Sequence, residues 1–258
     1  MIITLITDFG FSSSYVGAMK GVMLRINPDL QIIDINHNVS PQNIEEAAFI
    51  LKNVYSFFSA GTIHIVVVDP GVGTDRGILA AQTNDYIFLA PDNGVLKYIF
   101  DENPNIRVFK VTNKKLFLEK VSFTFHGRDI FAPVAAHLSK GIPTETVGEP
   151  FTEYIRGKVK TPAVDSHRIS GEIIYIDRFG NGITNIGEDL LKKKKNLQIL
   201  IRNTTIKNLS TVYSDVHTGE VLALIGSSGT LEISVNQGNA KKQLEFSVGD
   251  SVIVTFDS

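Results

Sequence analysis

The first part of the chain alternates between short apolar runs and amphipathic stretches, and this alternation predicts strands that alternate with helices. Residues 2–6 form an apolar run that ends in a polar turn, and residues 62–68 are mostly β-branched, as in a strand covered on both faces. Residues 15–26 and 128–139 have the spacing of helices. These features predict an α/β domain with a mainly parallel sheet.

Two places in this region carry local structural signals. Ser40 can cap a helix over residues 42–54, and Pro41 suits the first helical position. Residues 77–82 and 86–90 flank a short polar turn and predict a β-hairpin. We therefore expect a helix start at Ser40 and one antiparallel pair of strands further along.

After residue 154 the pattern changes to short β-rich runs separated by turn residues, which predicts a small β-barrel or sandwich. The runs are residues 172–176, 197–201, 221–225, 230–235 and 251–256. A polar segment that contains Gly and Pro precedes them and predicts a linker. The predicted organisation is an N-terminal α/β domain (1–157), a linker (158–168) and a smaller C-terminal β-barrel-like domain (169–258).

Composition narrows the classes of function. Of 258 residues, 25 are Lys or Arg and 27 are Asp or Glu, a balance that gives no support for nucleic acid or an anionic membrane as the main partner. The absence of cysteine excludes disulfides, thiolate metal sites and cysteine nucleophiles. No apolar run reaches about 18 residues, and the first residues lack the basic region of a secretory signal. We expect a cytoplasmic protein.

Polar residues follow several predicted strands, at the sheet edge where parallel α/β sheets bind their ligands. Asp8 follows the first strand, and a glycine-rich loop from Asp69 to Arg76 follows a later one. This loop lacks the Gly-Lys-Ser/Thr of a P-loop and the third glycine of a dinucleotide fingerprint. Asp69 and Arg76 can form an ion pair, which either serves a site or only braces the loop.

His126 stands just before a predicted helix, next to Arg128 and Asp129, where its ring can face a cleft. A lone histidine is also common as a structural residue, so both interpretations stay open. No histidine pair has the spacing of a zinc hydrolase. A dispersed metal site of Asp8, Asp69 and His126 stays open as well.

Two loops in the second part combine turn residues with polar groups. Asp177, Phe179 and Asn181 share a loop after a predicted strand, where an aromatic face and an amide suit a polar ligand. The glycines and the asparagine of that loop also suit a plain turn. Ser227 lies in a Gly-Ser-Ser-Gly stretch that predicts either a hairpin turn or a ligand loop.

Six motifs that follow one another in a fixed order are more informative about the family of the chain than any single loop. They are T-D-F-G at 7–10, Y-V-G-A-M-K-G at 15–21, V-D-P-G-V-G-T at 68–74 followed by Arg76, A-P-D-N-G at 90–94, F-H-G-R-D at 125–129 and D-R-F-G-N at 177–181. In these motifs the chain resembles the S-adenosyl-L-methionine hydroxide adenosyltransferase family, relatives of the fluorinase and chlorinase, over nearly its whole length. The resemblance implies the two-domain fold predicted above, a homotrimer with ligand sites between subunits, and no cofactor or metal.

The resemblance also implies a reaction in which water or hydroxide attacks C5′ of S-adenosyl-L-methionine, so that methionine leaves and adenosine forms. It assigns the catalytic group that orients and activates the water to Asp69, Arg76 and His126. It assigns substrate binding to Asp8 (ribose diol), Phe179 (adenine), and Asp177, Asn181 and Ser227 (methionine portion). We hypothesise that neutral His126 accepts the proton of the water.

Three positions depart from the halogenating relatives. Those relatives carry Tyr where this chain has Asp69, and the fluorinating one carries Ser where this chain has Gly127. Because a carboxylate repels a halide ion, we expect no halide site. Ser228 replaces an Arg, which leaves the ligand roles of Ser228, Asn236 and Gly238 open. The alternative function is a protein that senses S-adenosyl-L-methionine or a nucleoside without turnover.

Overall fold

The structure is a computed structural model that describes residues 1–257. The chain divides into two compact units, one spanning Met1–Val159 and the other beginning at Lys160. Each unit has its own sheet and its own apolar core. Among the described residues, no helix has the length and apolar character needed to cross a bilayer.

The first unit is built on a six-stranded sheet. Its strands are β1 (Ile2–Thr7), β2 (Gln31–Asn36), β3 (Ile63–Val67), β4 (Ile78–Gln82), β5 (Ile87–Pro91) and β6 (Arg107–Lys110), in the order β2-β1-β3-β5-β4-β6. The pairs β1/β2, β1/β3 and β3/β5 are parallel, whereas β4 is antiparallel to both β5 and β6. The predicted mostly parallel sheet and the predicted hairpin are therefore both confirmed.

Helices cover both faces of this sheet, which explains why the central strand β3 is buried over its whole length. They are α1 (Tyr15–Ile26), α2 (Ile44–Lys52), α3 (Lys97–Glu102) and α4 (Ala132–Leu138). Alternate strand residues pack into opposite cores: Leu5 lies with α1 and α4, and Ile6 lies with α2 and α3. Both are fully buried.

The helix predicted over 42–54 begins later, and the prediction that Ser40 caps it is wrong. Asn43 is the N-cap, and its side chain accepts a hydrogen bond from the Glu46 N–H at 3.1 Å. Gln42 has a φ of 64°, in the left-handed region, so the helix cannot include it. The Gln42 N–H instead donates to the carboxylate of Asp8, a contact that no local pattern reveals.

The helix predicted over 128–139 begins as a π-helical turn, Gly127–Phe131, and becomes α-helical at Ala132. Pro133 has no N–H with which to bond the carbonyl of Asp129, four residues earlier. That carbonyl accepts the N–H of Leu118 instead, at 3.0 Å. The irregular turn therefore ties this helix start to a neighbouring loop.

The second unit is an antiparallel, nearly closed sheet, which confirms the predicted barrel-like domain. Its strands are β7 (Ala163–Val164), β8 (Arg168–Ile176), β9 (Gly182–Gly187), β10 (Lys195–Ile201), β11 (Thr204–Lys207), β12 (Val221–Ile225), β13 (Thr230–Val235) and β14 (Ser251–Asp257). The order is β11-β10-β14-β8-β9-β13-β12, with β7 paired to β8. Just after β11, the Ser210 N–H donates to the Ala223 carbonyl of β12 at 2.8 Å, which brings the two end strands together.

The five predicted β runs all lie in strands, and three further strands were not predicted. β9 contains glycines and an asparagine, which have low strand propensity, and β11 is short and polar. β7 lies inside the segment predicted as linker and pairs with β8. Helix α5 (Ala240–Leu244) follows β13 and covers part of the second core.

Candidate active site

Asp8 and Asp69 meet at the carboxyl edge of the first sheet. Asp8 directly follows β1 and Asp69 lies just beyond β3, and the last residues of these two parallel strands, Thr7 and Val67, are paired. The two carboxylates line one cavity of about 240 Å³, together with Phe125 and other residues. The topology thus brings together two acidic residues that are far apart in the sequence.

Asp69 and Arg76 form a bidentate ion pair. The Arg76 Nε donates to both carboxylate oxygens of Asp69, at 3.0 and 2.9 Å, and Nη2 donates to Oδ2. The side chains are only 5% and 11% exposed. Gly73 allows this arrangement, because its φ is +80° and a Cβ there would lie 2.3 Å from the carbonyl oxygen of Phe123.

The same guanidinium also reaches His126, so three charged or polar side chains form one continuous group. Nη2 of Arg76 lies 3.0 Å from Nδ1 of His126. Arginine can only donate, so Nδ1 is the acceptor and the proton of the neutral ring resides on Nε2. We call Asp69, Arg76 and His126, linked in this way, the buried triad, after its enclosed ion pair; His126 itself is half-buried.

The surroundings keep His126 neutral. Burial lowers the pKa of the imidazole below its ordinary value, and the positive charge of Arg76 lowers it further. The charges of Asp69 and Asp129 and a backbone hydrogen bond with Ser122 raise the pKa, but they do not reverse the shift. The neutral ring is the form that can accept the Arg76 hydrogen bond.

Asp129 anchors the segment that carries His126. Its fully buried carboxylate accepts hydrogen bonds from the Ser122 N–H at 2.8 Å, from the Ser122 hydroxyl at 2.7 Å and from Arg128 Nε at 2.6 Å. Burial alone would raise the pKa of Asp129, but the hydrogen bonds from Arg128 and Ser122 lower it. The ionised carboxylate therefore fixes the loop on which the imidazole stands.

The buried triad lies between two cavities. Its carboxylate end lines the cavity shared with Asp8, and its imidazole end lines a second cavity of about 490 Å³ with Ser122, Phe123 and neighbours. Within residues 1–257, no set of three His, Asp or Glu side chains is arranged to hold a metal ion. The structure thus offers no support for a metal site of Asp8, Asp69 and His126, whose ligand atoms are partly taken up by Arg76.

In the second unit, Asp177 and Asn181 form a closed turn after β8. The Asn181 N–H donates to Oδ1 of Asp177 at 2.8 Å, and its side-chain amide donates to Oδ2 at 3.0 Å. Gly180 is required between them, because its φ is +91° and a Cβ would lie 2.3 Å from Asn239. The turn interpretation is therefore correct, and it is compatible with ligand binding by residues at the edge of the turn.

Phe179 projects from that turn beside a cavity of about 430 Å³. Its ring is 74% exposed, and the cavity is also lined by Asn181, Tyr213 and Gly238, among others. The hydroxyl of Tyr213 donates to Glu232 at 2.8 Å, and burial together with this carboxylate raises the pKa of Tyr213 to about 12. Two aromatic side chains at one cavity suit a planar ring as ligand.

Tyr213 and Glu232 were missed in the sequence, although Glu232 had one signal: an acidic residue inside an apolar β run. It is buried, and Ser234 also donates to it at 2.7 Å. Ser227 is exposed in the hairpin turn between β12 and β13, so the hairpin interpretation of that stretch is correct. The structure does not place Ser227 at the cavity of Phe179, but Gly226 beside it lies so near Glu232 that a Cβ there would be 2.5 Å from the carboxylate.

Comparisons with known proteins agree over almost the full chain. Residues 3–148 match the SAM hydroxide adenosyltransferase N-terminal domain, and residues 171–253 match the SAM hydroxide adenosyltransferase C-terminal domain. The (R)-S-adenosyl-L-methionine hydrolases of Salinispora tropica and Methanocaldococcus jannaschii are 34% and 35% identical, covering 98% and 99% of this chain and 97% and 96% of theirs. Fluorinases match at lower identity, 28% for that of an Actinoplanes species.

A solved structure supports the same fold. An uncharacterized conserved protein from Thermotoga maritima superimposes with a TM-score of 0.92 at 41% identity, covering 99% of this chain and 100% of that one.

Proposed function

Because the chain belongs to the SAM hydroxide adenosyltransferase family and is an S-adenosyl-L-methionine hydrolase, we propose that the buried triad holds the water that attacks C5′ of the substrate. The bond between C5′ and the sulfonium sulfur breaks, its electron pair goes to sulfur, and the products are adenosine and methionine. The observation that carries this assignment is the continuous Asp69–Arg76–His126 hydrogen-bonded group beside Asp8.

The physical chemistry of the reaction suits a buried, preassembled group. The leaving thioether is neutral, so it needs no general acid. Attack by hydroxide on a cation removes charge, and a site shielded from water favours such a step. Alignment of the oxygen behind the C5′–S bond contributes several further kcal/mol.

The geometry favours roles for the three residues of the triad that differ from the hypothesis that His126 accepts the proton. Nδ1 of His126 already accepts from Arg76, so His126 would have to give up that contact to take a proton. Asp69 lines the cavity that Asp8 also lines, and each of its carboxylate oxygens can accept a hydrogen bond beyond those from Arg76, so we assign Asp69 to hold and deprotonate the water. Arg76 then stabilises hydroxide character, and His126 orients Arg76.

Substrate binding is assigned to the remaining residues. Asp8, whose Oδ2 is oriented by the Gln42 N–H at 2.8 Å, binds the ribose hydroxyls. Phe179 stacks on adenine, while Asp177, Asn181 and Ser227 bind the methionine portion. A homotrimer whose sites lie at subunit interfaces is carried over from the family resemblance, and the exposure of Phe179 and Ser227 leaves both side chains accessible to a partner subunit. A location in the cytoplasm stays a prediction from the cysteine-free sequence.

The test is to incubate the purified protein with S-adenosyl-L-methionine in water labelled with heavy oxygen and to identify the products by chromatography and mass spectrometry. Adenosine that carries the label on its 5′ oxygen, together with methionine, is the expected result. Unchanged substrate with measurable affinity would indicate a sensor instead. Added chloride or fluoride should give no 5′-halogenated product.

A further inference from the structure

A second histidine, His37, lies directly behind the loop that carries Asp8. It follows β2, and its side chain is fully buried. The pairing of β1 with β2 is irregular at this point: Leu5 pairs with Asp34 but Ile6 pairs with Asn36, so β2 contains one extra residue. Such a bulge redirects the side chains that follow it, and here it precedes the histidine.

Both ring nitrogens of His37 have polar neighbours. Nδ1 lies 2.8 Å from the hydroxyl oxygen of Thr7, and Nε2 lies 3.0 Å from Oδ1 of Asp34, in a contact that is not a straight hydrogen bond. Asp34 is in turn paired with Lys20 at 2.6 Å. Burial would raise the pKa of Asp34, but Lys20 and His37 lower it, so the carboxylate is ionised.

These contacts connect His37 to the backbone that follows Asp8. The hydroxyl oxygen of Thr7, which lies 2.8 Å from Nδ1 of His37, also accepts the N–H of Phe9 at 3.3 Å. The N–H of Gly10 donates to the backbone carbonyl of His37 at 2.7 Å.

The N–H groups of Phe9 and Gly10, which follow Asp8, therefore donate to the Thr7 hydroxyl and to the His37 carbonyl, respectively. Gly10 has a φ of +68°, in the left-handed region, so the chain reverses direction immediately after these contacts. Phe11 then packs edge-on against the ring of His37, with the ring centroids 5.0 Å apart. The Asp8 loop is therefore held at its backbone by His37 and Thr7, and at the Asp8 carboxylate by the Gln42 N–H.

We propose that His37 is a positioning residue for Asp8, and that through Asp8 it sets the recognition of the ribose hydroxyls. This inference rests on the proposed function, in which Asp8 binds the ribose. His37 does not touch the substrate. Its ring holds the Thr7 hydroxyl that accepts the N–H of Phe9, the residue directly after Asp8, so removal of the ring should weaken the preference for a ribose over a deoxyribose.

The chain supplies a matched control in His64. This histidine is also fully buried, and its Nδ1 also pairs with a threonine of β1, Thr4, at 2.7 Å. Its ring, however, lies among aromatic side chains, stacked on Phe88, away from the Asp8 loop. Loss of His64 therefore reproduces the loss of a buried His–Thr pair without disturbing Asp8.

The experiment measures the affinities of adenosine and of 2′-deoxyadenosine by calorimetry for the full-length wild type and for His37→Ala, His37→Asn, His64→Ala and Asp8→Ala. We expect the preference for adenosine to fall about 10-fold in His37→Ala, as for the loss of one oriented charge-assisted contact. His37→Asn, which keeps a polar atom near Nδ1, should recover part of it. His64→Ala should keep the wild-type preference even if its melting temperature falls.

The outcomes separate the two proposals. If Asp8→Ala keeps the preference for adenosine over 2′-deoxyadenosine, Asp8 does not bind the ribose and its role in the proposed function is wrong. If Asp8→Ala loses the preference while His37→Ala retains it, or if His37→Ala and His64→Ala change it equally, the inference about His37 is wrong. Should His37→Ala fail to fold, Asp34→Asn replaces it, because Asp34 is at the surface and contacts Nε2 of His37, and the same loss of preference is expected at smaller size.

Discussion

The polar group of the first unit and that of the second are assembled in opposite ways. In the buried triad, Asp69 and Arg76 are almost fully enclosed and each partner is satisfied by another residue of the triad. In the second unit, the turn of Asp177 and Asn181 presents Phe179 to solvent. The triad is therefore held together within the chain, whereas under the proposed function Phe179 gains its contacts from the substrate.

Because of this difference, we expect substitutions in the two groups to have different effects on stability and on catalysis. Removing one partner of a buried ion pair leaves a charge without compensation, so both stability and chemistry suffer. Removing an exposed aromatic ring leaves the free protein nearly unchanged and affects only the complex. Variants in the two groups can therefore be ordered by how strongly they affect folding and how strongly they affect catalysis.

Arg76→Ala should have the largest effect. We expect hydrolysis to fall on the order of 100- to 1000-fold, as for loss of a preorganised donor, and the free energy of unfolding to fall by about 3 to 5 kcal/mol, since Asp69 becomes a buried unpaired charge. Initial rates and denaturant titrations measure the two losses. Arg76→Lys serves as control, because it keeps the charge and loses the bidentate geometry. If the loss of activity is no greater than the fraction of unfolded protein accounts for, the Asp69–Arg76 pair only stabilises its loop.

His126 should impose a limit on activity in acid. The pKa of His126 is lowered from its ordinary value of 6.5, so protonation occurs only below that pH and then places a cation against Arg76. The stability contributed by the neutral ring is complete above pH 6.5 and is lost as the pH falls through the folded-state value. We expect the rate to fall about 100-fold in His126→Ala, because Arg76 loses the contact that orients it.

His126→Asn distinguishes orientation from proton transfer. Its amide oxygen can accept the Arg76 hydrogen bond near the position of Nδ1 but cannot act as a base at neutral pH. If orientation is the role, this variant keeps most of its activity and loses the acid limb of the pH–rate profile. Activity as low as that of the alanine variant would restore the hypothesis that His126 accepts the proton.

Asp177→Ala should have an intermediate effect. The N–H and amide of Asn181 lose their acceptor, which we expect to cost about 1 to 2 kcal/mol in unfolding free energy, and the KM for the substrate should rise about 10-fold or more. Asp177→Asn keeps an acceptor oxygen and loses the charge. Recovery of stability without recovery of KM is the expected pattern; recovery of both would exclude a role for the charge in binding methionine.

Phe179→Ala should have the smallest effect on the protein itself. Its ring is mostly exposed, so the free energy of unfolding should change by less than about 0.5 kcal/mol, while the loss of stacking should raise KM about 3- to 10-fold with kcat nearly unchanged. Thermal melts and steady-state kinetics check this, with Phe179→Tyr as the ring-preserving control. A fall in melting temperature comparable to that of Arg76→Ala would remove the contrast between the two groups.

Local patterning was sufficient for much of the fold. The runs 221–225 and 230–235 coincide with β12 and β13, and residues 15–26 coincide with α1. The period of apolar residues depends on whether an element is buried on one face or on two, so these elements can be predicted without tertiary information. The residues of the buried triad were also identified in advance, through their motifs.

Other features depend on contacts between distant residues, and no local pattern contains them. The start of α2 moves to Asn43 because Gln42 turns toward Asp8, and Tyr213 meets Glu232 only because the 3₁₀ turn Tyr213–Asp215 packs on β13. The same holds for the proton on Nε2 of His126, which follows from the position of Arg76.

The amino-acid sequence by itself predicted the alternation of strands and helices in the first unit, the two kinds of sheet and five strands of the second unit, because the period of apolar residues is a local property. The candidate site residues came from the motifs that resemble the family. Tertiary structure alone decided which carboxylate shares a cavity with Asp8 and that a buried histidine stands behind the Asp8 loop. These depend on the parallel pairing of β1 with β2 and β3, which brings residues dozens of positions apart within hydrogen-bonding distance.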